Sequence, residues 1–197
     1  MSTIDQITEF VRHKIFGILS NPVDSAARAS LARLRRGIGH VPGELPELWG
    51  EYLTDLPEAF FSHGEEISRA EWAVYTALTM FAMHQQGKSR DSEPMHRSGV
   101  SLGTAANRLI KQESEDRERI ARRFYPTATA SDMIELSHHL RGLVSLFRSE
   151  SIPLDYARLA ADLFLFQNPD TVDRVKLRWG EDFCRIIDTE KEHQDKE

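Results

Sequence analysis

Apolar residues recur at intervals of three and four along nearly the whole chain, and no stretch alternates with period two between turn residues, so the pattern predicts an all-α protein. Helices are expected over about 3–19 and 24–37, then a less regular acidic stretch to about 66, then a strong helix opened by the capping box Ser68-x-x-Glu71 and stopping at Gly87. That helix carries Trp72, Tyr75, Leu78, Thr79 and Ala82 on one side. Further helices are expected over about 102–113, 115–124, 132–149, 154–166 and 170–187, with Ser131 as the N-cap of the third and Pro153 in the first position of the fourth. Short connections make this a helical bundle. The polar stretch from Gln85 to Ser101, with Gly87, Pro94 and Gly99, is the expected hinge. It divides one domain over 1–187 into two bundle-like halves, 1–87 and 101–187, joined by a loop at 88–100. The acidic tail 188–197 holds no aliphatic or aromatic residue and is expected to be disordered.

At 197 residues and 40% hydrophobic, the chain has enough apolar surface for a core without covalent staples. The lone cysteine, Cys184, has no internal disulfide partner; it falls in the apolar pattern of Trp179, Phe183 and Ile187 and is expected to be an inert, partly buried thiol. The N-terminal apolar run is broken by Arg12, His13 and Lys14, so neither a signal peptide nor a membrane span is expected, and the cytoplasm is the expected compartment.

Charge changes the picture. The net charge is −6, yet Ser25 to Gly43 contains no acid and holds Arg28, Arg33, Arg35 and Arg36. The following stretch carries Glu44, Glu47, Glu51, Asp55, Glu58, Glu65, Glu66 and Glu71 against Arg69 alone, which accounts for the sign of the whole. Such segregation is the footprint expected for a polyanion, whose field acts over about 8 Å at physiological salt. On the second helix the 100° periodicity places Leu31, Leu34 and Ile38 on one face and the arginines off it. Three more basic sites follow: Arg141 with Arg148, Arg174 with Arg178, and the acid-free run Met95 to Gln112 with His96, Arg97, Arg108 and Lys111. Spacing alone leaves a second reading open, in which arginine stems cover apolar surface with their heads in water. In the last site, Gly99-Val-Ser-Leu-Gly103 runs into a helix whose free amides form a phosphate seat or simply an N-cap.

Catalytic patterns are missing. There is no P-loop spacing and no Gly-x-Ser-x-Gly elbow, and the adjacent His138 and His139 point about 100° apart on a helix, which argues against a shared metal. His63-Gly-Glu65 and Glu190-x-x-His193 lack a third ligand. No enzyme activity, cofactor or metal is expected. Trp72 and Trp179 fall on apolar faces and are expected in the core rather than stacked on bases.

The ordered set Leu31-Ala-Arg-Leu-Arg-Arg-Gly37, Ala82-Met-His-Gln-Gln-Gly-Lys88, Gly99-Val-Ser-Leu-Gly103, Leu140-Arg-Gly-Leu-Val144, Pro153-Leu-Asp-Tyr-Ala157 and Arg174-Val-Lys-Leu-Arg-Trp-Gly180 resembles the CasB family, the small subunit of the type I-E CRISPR Cascade complex. The resemblance spans roughly residues 5 to 187. It implies a non-catalytic all-helical subunit, present as a pair, that works beside other Cascade subunits and the guide RNA and holds target DNA strands of the R-loop by their backbones. Carried over by motif, it implies nucleic-acid contacts at Arg33, Arg35, Arg36, Lys88, Arg97, Arg141, Arg174 and Arg178; Arg108, Lys111 and Arg148 rest mainly on the charge pattern. Thr104 departs from the family, where an arginine is frequent. The alternative is a helical protein-interaction adaptor whose partner surface is the acidic 44–71 segment.

Overall fold

The computed structural model describes residues 1–111 and 113–185. The expected acidic tail and the last two residues of the final expected helix lie outside the described residues. Helix α1 (Thr3–Leu19) opens on a complete capping box between Ser2 and Asp5, and Ile7, Phe10, Val11 and Ile15 form its buried stripe. Helix α2 (Asp24–Arg36) buries Ala27, Leu31 and Leu34 and ends at Gly37. A Cβ at Gly37 would lie 2.6 Å from the Tyr75 hydroxyl and 2.8 Å from Leu48, so only glycine lets the end of α2 sit this close to its neighbours. The acidic stretch contains 3-10 turns at Pro46–Leu48 and Glu58–Phe60 around the short α3 (Trp49–Tyr52), which packs back against α2.

Helix α4 (Arg69–His84) is the hub. The sequence predicts one apolar side, but every residue from Ala73 to His84 is buried, because α1, α2, α7 and α8 all pack on it. Ser68 caps it by accepting the Glu71 amide hydrogen bond; the Glu71 carboxylate turns away to Ser62, so only half of the expected box forms.

The later boundaries shift for tertiary reasons. Helix α5 (Leu102–Asn107) is shorter than predicted, since the Asn107 amide donates to the carbonyls of Phe183 and Arg185 and ties that end to the C-terminal helix. Helix α6 (Glu113–Thr129) continues through Pro126, where Phe124 stacks on Phe183 with centroids 4.6 Å apart. Asp132, not Ser131, caps α7 (Met133–Ser149); Ser131 donates to Glu135 instead. Pro153 is outside α8 (Tyr156–Phe166), which Asp155 caps. The residues before it are extended because Leu154 and Asp155 exchange backbone hydrogen bonds with Met95, Arg97 and Val100. The final helix, α9 (Val172–Cys184), buries Val175, Trp179 and Phe183 but leaves Cys184 exposed, correcting the expected partly buried thiol.

The same backbone pairing pins the connection between α4 and α5. Within it, the buried Gln85 side chain donates to the carbonyls of Lys88, Ser89 and Glu93 and accepts from Met95. The hydrophobic core takes residues from both sides of this connection, from Ile7 to Phe183, with α1 and α4 packed directly on α8. No helix among the described residues is long and apolar enough to cross a membrane.

Candidate nucleic-acid interface

The acid-free run of α2 is not acid-free in space. Because the 46–52 segment folds against α2, Arg33 meets Glu51 at 2.5 Å and Arg36 approaches Glu47 at 3.9 Å, while Arg28 pairs along the helix with Asp24 at 2.7 Å. Glu51 is the more buried partner, so Arg33 serves first as its counter-ion. Much of the segregation in the linear sequence is cancelled by packing.

Arg35 lies on the other flank of α2. Burial and the nearby Arg148 guanidinium both lower its pKa, a sign that two cations converge without an intervening acid. Arg35, Arg141 and Arg148 line one groove between the end of α2 and the outer face of α7, floored by Ile38, Met83 and Gln86. None of these three arginines has a carboxylate partner among the described residues. Arg148 donates to the Gln86 side chain at 3.1 Å, which holds its head toward the groove. Gln86 and Met83 were not anticipated as site residues; they belong to the 82–88 motif, but no charge count would single them out.

The remaining basic residues divide by environment. Lys88 is held by Glu93 at 2.9 Å and by Ser151 at 2.5 Å, although with Arg35 it borders a second groove beside the first. Arg90, absent from the sequence reading, donates to the carbonyls of Ile18, Leu19 and Asn21 and so caps the end of α1. Lys111 pairs with Glu150. Arg178 and the Trp179 indole both donate to the buried Asp162, at 2.6 and 2.7 Å, which makes Arg178 a structural counter-ion. Arg97 and Arg174 are exposed, on the 88–100 connection and α9, and line neither groove. Arg108 is the C-cap of α5.

Of the two readings of the start of α5, the N-cap holds, and the space of a phosphate seat is filled from within. Ser101 accepts the Thr104 amide and donates to Asp182 at 2.6 Å, and the Gly99 amide donates to Asp155 at 2.8 Å. Gly103 serves packing: a Cβ there would fall 2.2 Å from the Trp179 carbonyl oxygen. Thr104 bonds Ser101, so no basic group stands at that position. His138 and His139 stand edge to face, with His139 3.6 Å from Glu135, and no cluster of metal-ligating side chains exists among the described residues.

Residues 30–183, from the middle of α2 to the end of α9 and including every residue that lines the groove of Arg35, Arg141 and Arg148, match the family model for CRISPR-associated protein Cse2. The chain belongs to the Cse2 family. The crystal structure of CasB from Thermobifida fusca is 36% identical and superimposes with a TM-score of 0.72, over 92% of this chain and 97% of that one. Two more distant structures share the Cse2 fold: a chain of a CRISPR RNA-guided surveillance complex, at 19% identity, TM-score 0.69 and 98% and 99% coverage, and CasB of M. ruber, at 23% identity, TM-score 0.64 and 98% coverage of each chain. No curated protein sequence matches.

Proposed function

We propose that this chain is the non-catalytic small subunit of an RNA-guided CRISPR surveillance complex of the Cascade type, and that it steadies the target DNA strands of the R-loop by their phosphates. It works there beside other subunits, guide RNA and a second copy of itself. Family membership supports the assembly. The observation that carries the DNA contact is the groove in which Arg35, Arg141 and Arg148 converge with no carboxylate facing them among the described residues. Guanidinium groups aimed at a backbone, without a base-reading helix, suit a system in which base pairing reads sequence and protein reads shape. The adaptor alternative is weakened because Glu47 and Glu51 of its acidic surface already face α2.

The test is the salt dependence of oligonucleotide binding. The purified chain binds without reading a defined sequence, at roughly 10⁻⁶ to 10⁻⁴ M, and the combined Arg35→Ala, Arg141→Ala, Arg148→Ala variant reduces the slope of log K against log salt by about 0.7 to 0.9 per lost contact. Arg33→Ala and Arg178→Ala instead lower thermal stability and leave the slope near wild type, because the first strands the partly buried Glu51 carboxylate and the second the buried Asp162 carboxylate. A triple variant with an unaltered slope refutes the groove as the phosphate contact.

A further inference from the structure

At one end of the basic groove lies a pocket of about 160 Å³ that phosphate contacts leave unused. Trp72 and Tyr75 of α4 form its aromatic walls, the turn after α2 closes one side, and Ser137, His138 and Arg141 of α7 close the other. Tyr75 is fixed without any ligand, because its hydroxyl donates to the Gly37 carbonyl at 2.9 Å. His138 and Arg141 belong to the walls of both the pocket and the groove, so the two are continuous. The Ser137 hydroxyl on the pocket wall is shielded from solvent and has no hydrogen-bond partner. Because water does not reach this oxygen, a ligand pairs with it only when the Ser137 side chain turns toward the pocket, and that pairing relieves an unsatisfied group.

Size and chemistry narrow the occupant. An apolar cavity of about 150 Å³ takes one benzene molecule, so this pocket matches a single six-membered ring. Its lining asks for a flat ring with a polar edge, joined to an anion that stays outside with Arg141. A phenylalanine side chain would fill the volume but offer nothing to Ser137 or to the arginine.

We propose that the pocket receives one unstacked pyrimidine base of the strand whose phosphates lie along Arg35, Arg141 and Arg148, with the ring against the half-buried Trp72 and its polar edge toward the Ser137 side of α7. The proposal rests on the backbone-holding function above and adds a site for a base.

The full-length chain is titrated with a thymidine oligonucleotide and with the same backbone made abasic. The base-bearing strand binds about tenfold tighter, within the range by which one base–aromatic stack changes affinity. Trp72→Ala, which removes one wall, and Ser137→Leu, which fills the pocket, each bring it down to the abasic value while the salt slope is retained. A 5-iodouracil oligonucleotide, photocrosslinked to wild-type protein and mapped by peptide mass spectrometry, reports Trp72 or Tyr75 without requiring any variant to fold. Equal binding of the two strands with a normal salt slope, or crosslinks confined to the exposed Trp49 and Tyr125, overturns the base pocket and leaves the groove standing. Binding that ignores salt overturns the groove itself. Should Trp72→Ala leave oligonucleotide binding intact but prevent assembly into the complex, the pocket takes a protein side chain and the proposal is wrong.

Discussion

His84 is fully buried at the end of α4, with its Nδ1 2.8 Å from the Tyr156 hydroxyl and its ring against Phe147. Burial lowers its pKa to about 4, reinforced by the charges of Lys88 and Arg148. The unfolded imidazole takes up its proton near pH 6.5, so between pH 6.5 and 4 the unfolded chain binds more protons than the folded one and stability falls as pH falls. The contribution is intact above pH 6.5 and amounts at most to about 3 kcal/mol. Urea denaturation at pH 7 and pH 4.5 should therefore show a loss that His84→Met removes; a variant that keeps the full loss places the acid sensitivity elsewhere. At this same scale, sequence reading has its limits. The α2 arginines were legible as off the apolar face, but that Arg33 faces Glu51 across 18 residues was not. Helical periodicity describes one helix and says nothing of which segment folds over it.

Between elements, Gly103 decides how closely α5 and α9 approach. The Cβ of Gly103→Ala would meet the Trp179 carbonyl at 2.2 Å and the Phe183 amide nitrogen at 2.8 Å, both rigid helix backbone. The helices must separate, at the upper end of the about 1–3 kcal/mol typical of overpacking or beyond it. Chemical denaturation should report that loss, while oligonucleotide binding at native conditions keeps its salt slope, because the groove belongs to α2, α4 and α7. The glycine motif was visible in the sequence as a turn into a helix. Its purpose was not, because the atoms that exclude a side chain come from about 76 to 80 residues further along the chain.

For the whole molecule, the proposed function makes the small free-energy difference on opening DNA the quantity to measure. The RNA–DNA hybrid formed in an R-loop is about as stable as the duplex it replaces. Three solvent-accessible arginine–phosphate contacts at a few tenths to about 1 kcal/mol each then shift occupancy by several-fold to about a hundredfold. Surveillance complexes carrying the Arg35, Arg141 and Arg148 triple substitution should retain guide RNA and assemble, yet open matched target less completely as salt rises. Permanganate footprinting of the displaced strand, with assembly checked by size exclusion, measures this. Opening as complete and durable as wild type across the salt range would remove the groove from the mechanism.

The sequence by itself determined the all-α class, the main helices and the family, because the spacing of apolar positions and the order of short motifs are properties of the linear chain. The helix over 3–19 and the cap at Ser68 are marked by neighbours within a few positions, and those readings needed no third dimension. Only the tertiary structure decided which cations remain available. Arg33, Arg36, Lys88, Lys111 and Arg178 look equivalent to Arg35, Arg141 and Arg148 in a charge count, and packing gives the first five carboxylate partners and leaves the last three facing one another across a groove. Long side chains choose their counter-ions by distance in space, and distances between remote segments are set by the core that draws α2, α4 and α7 together.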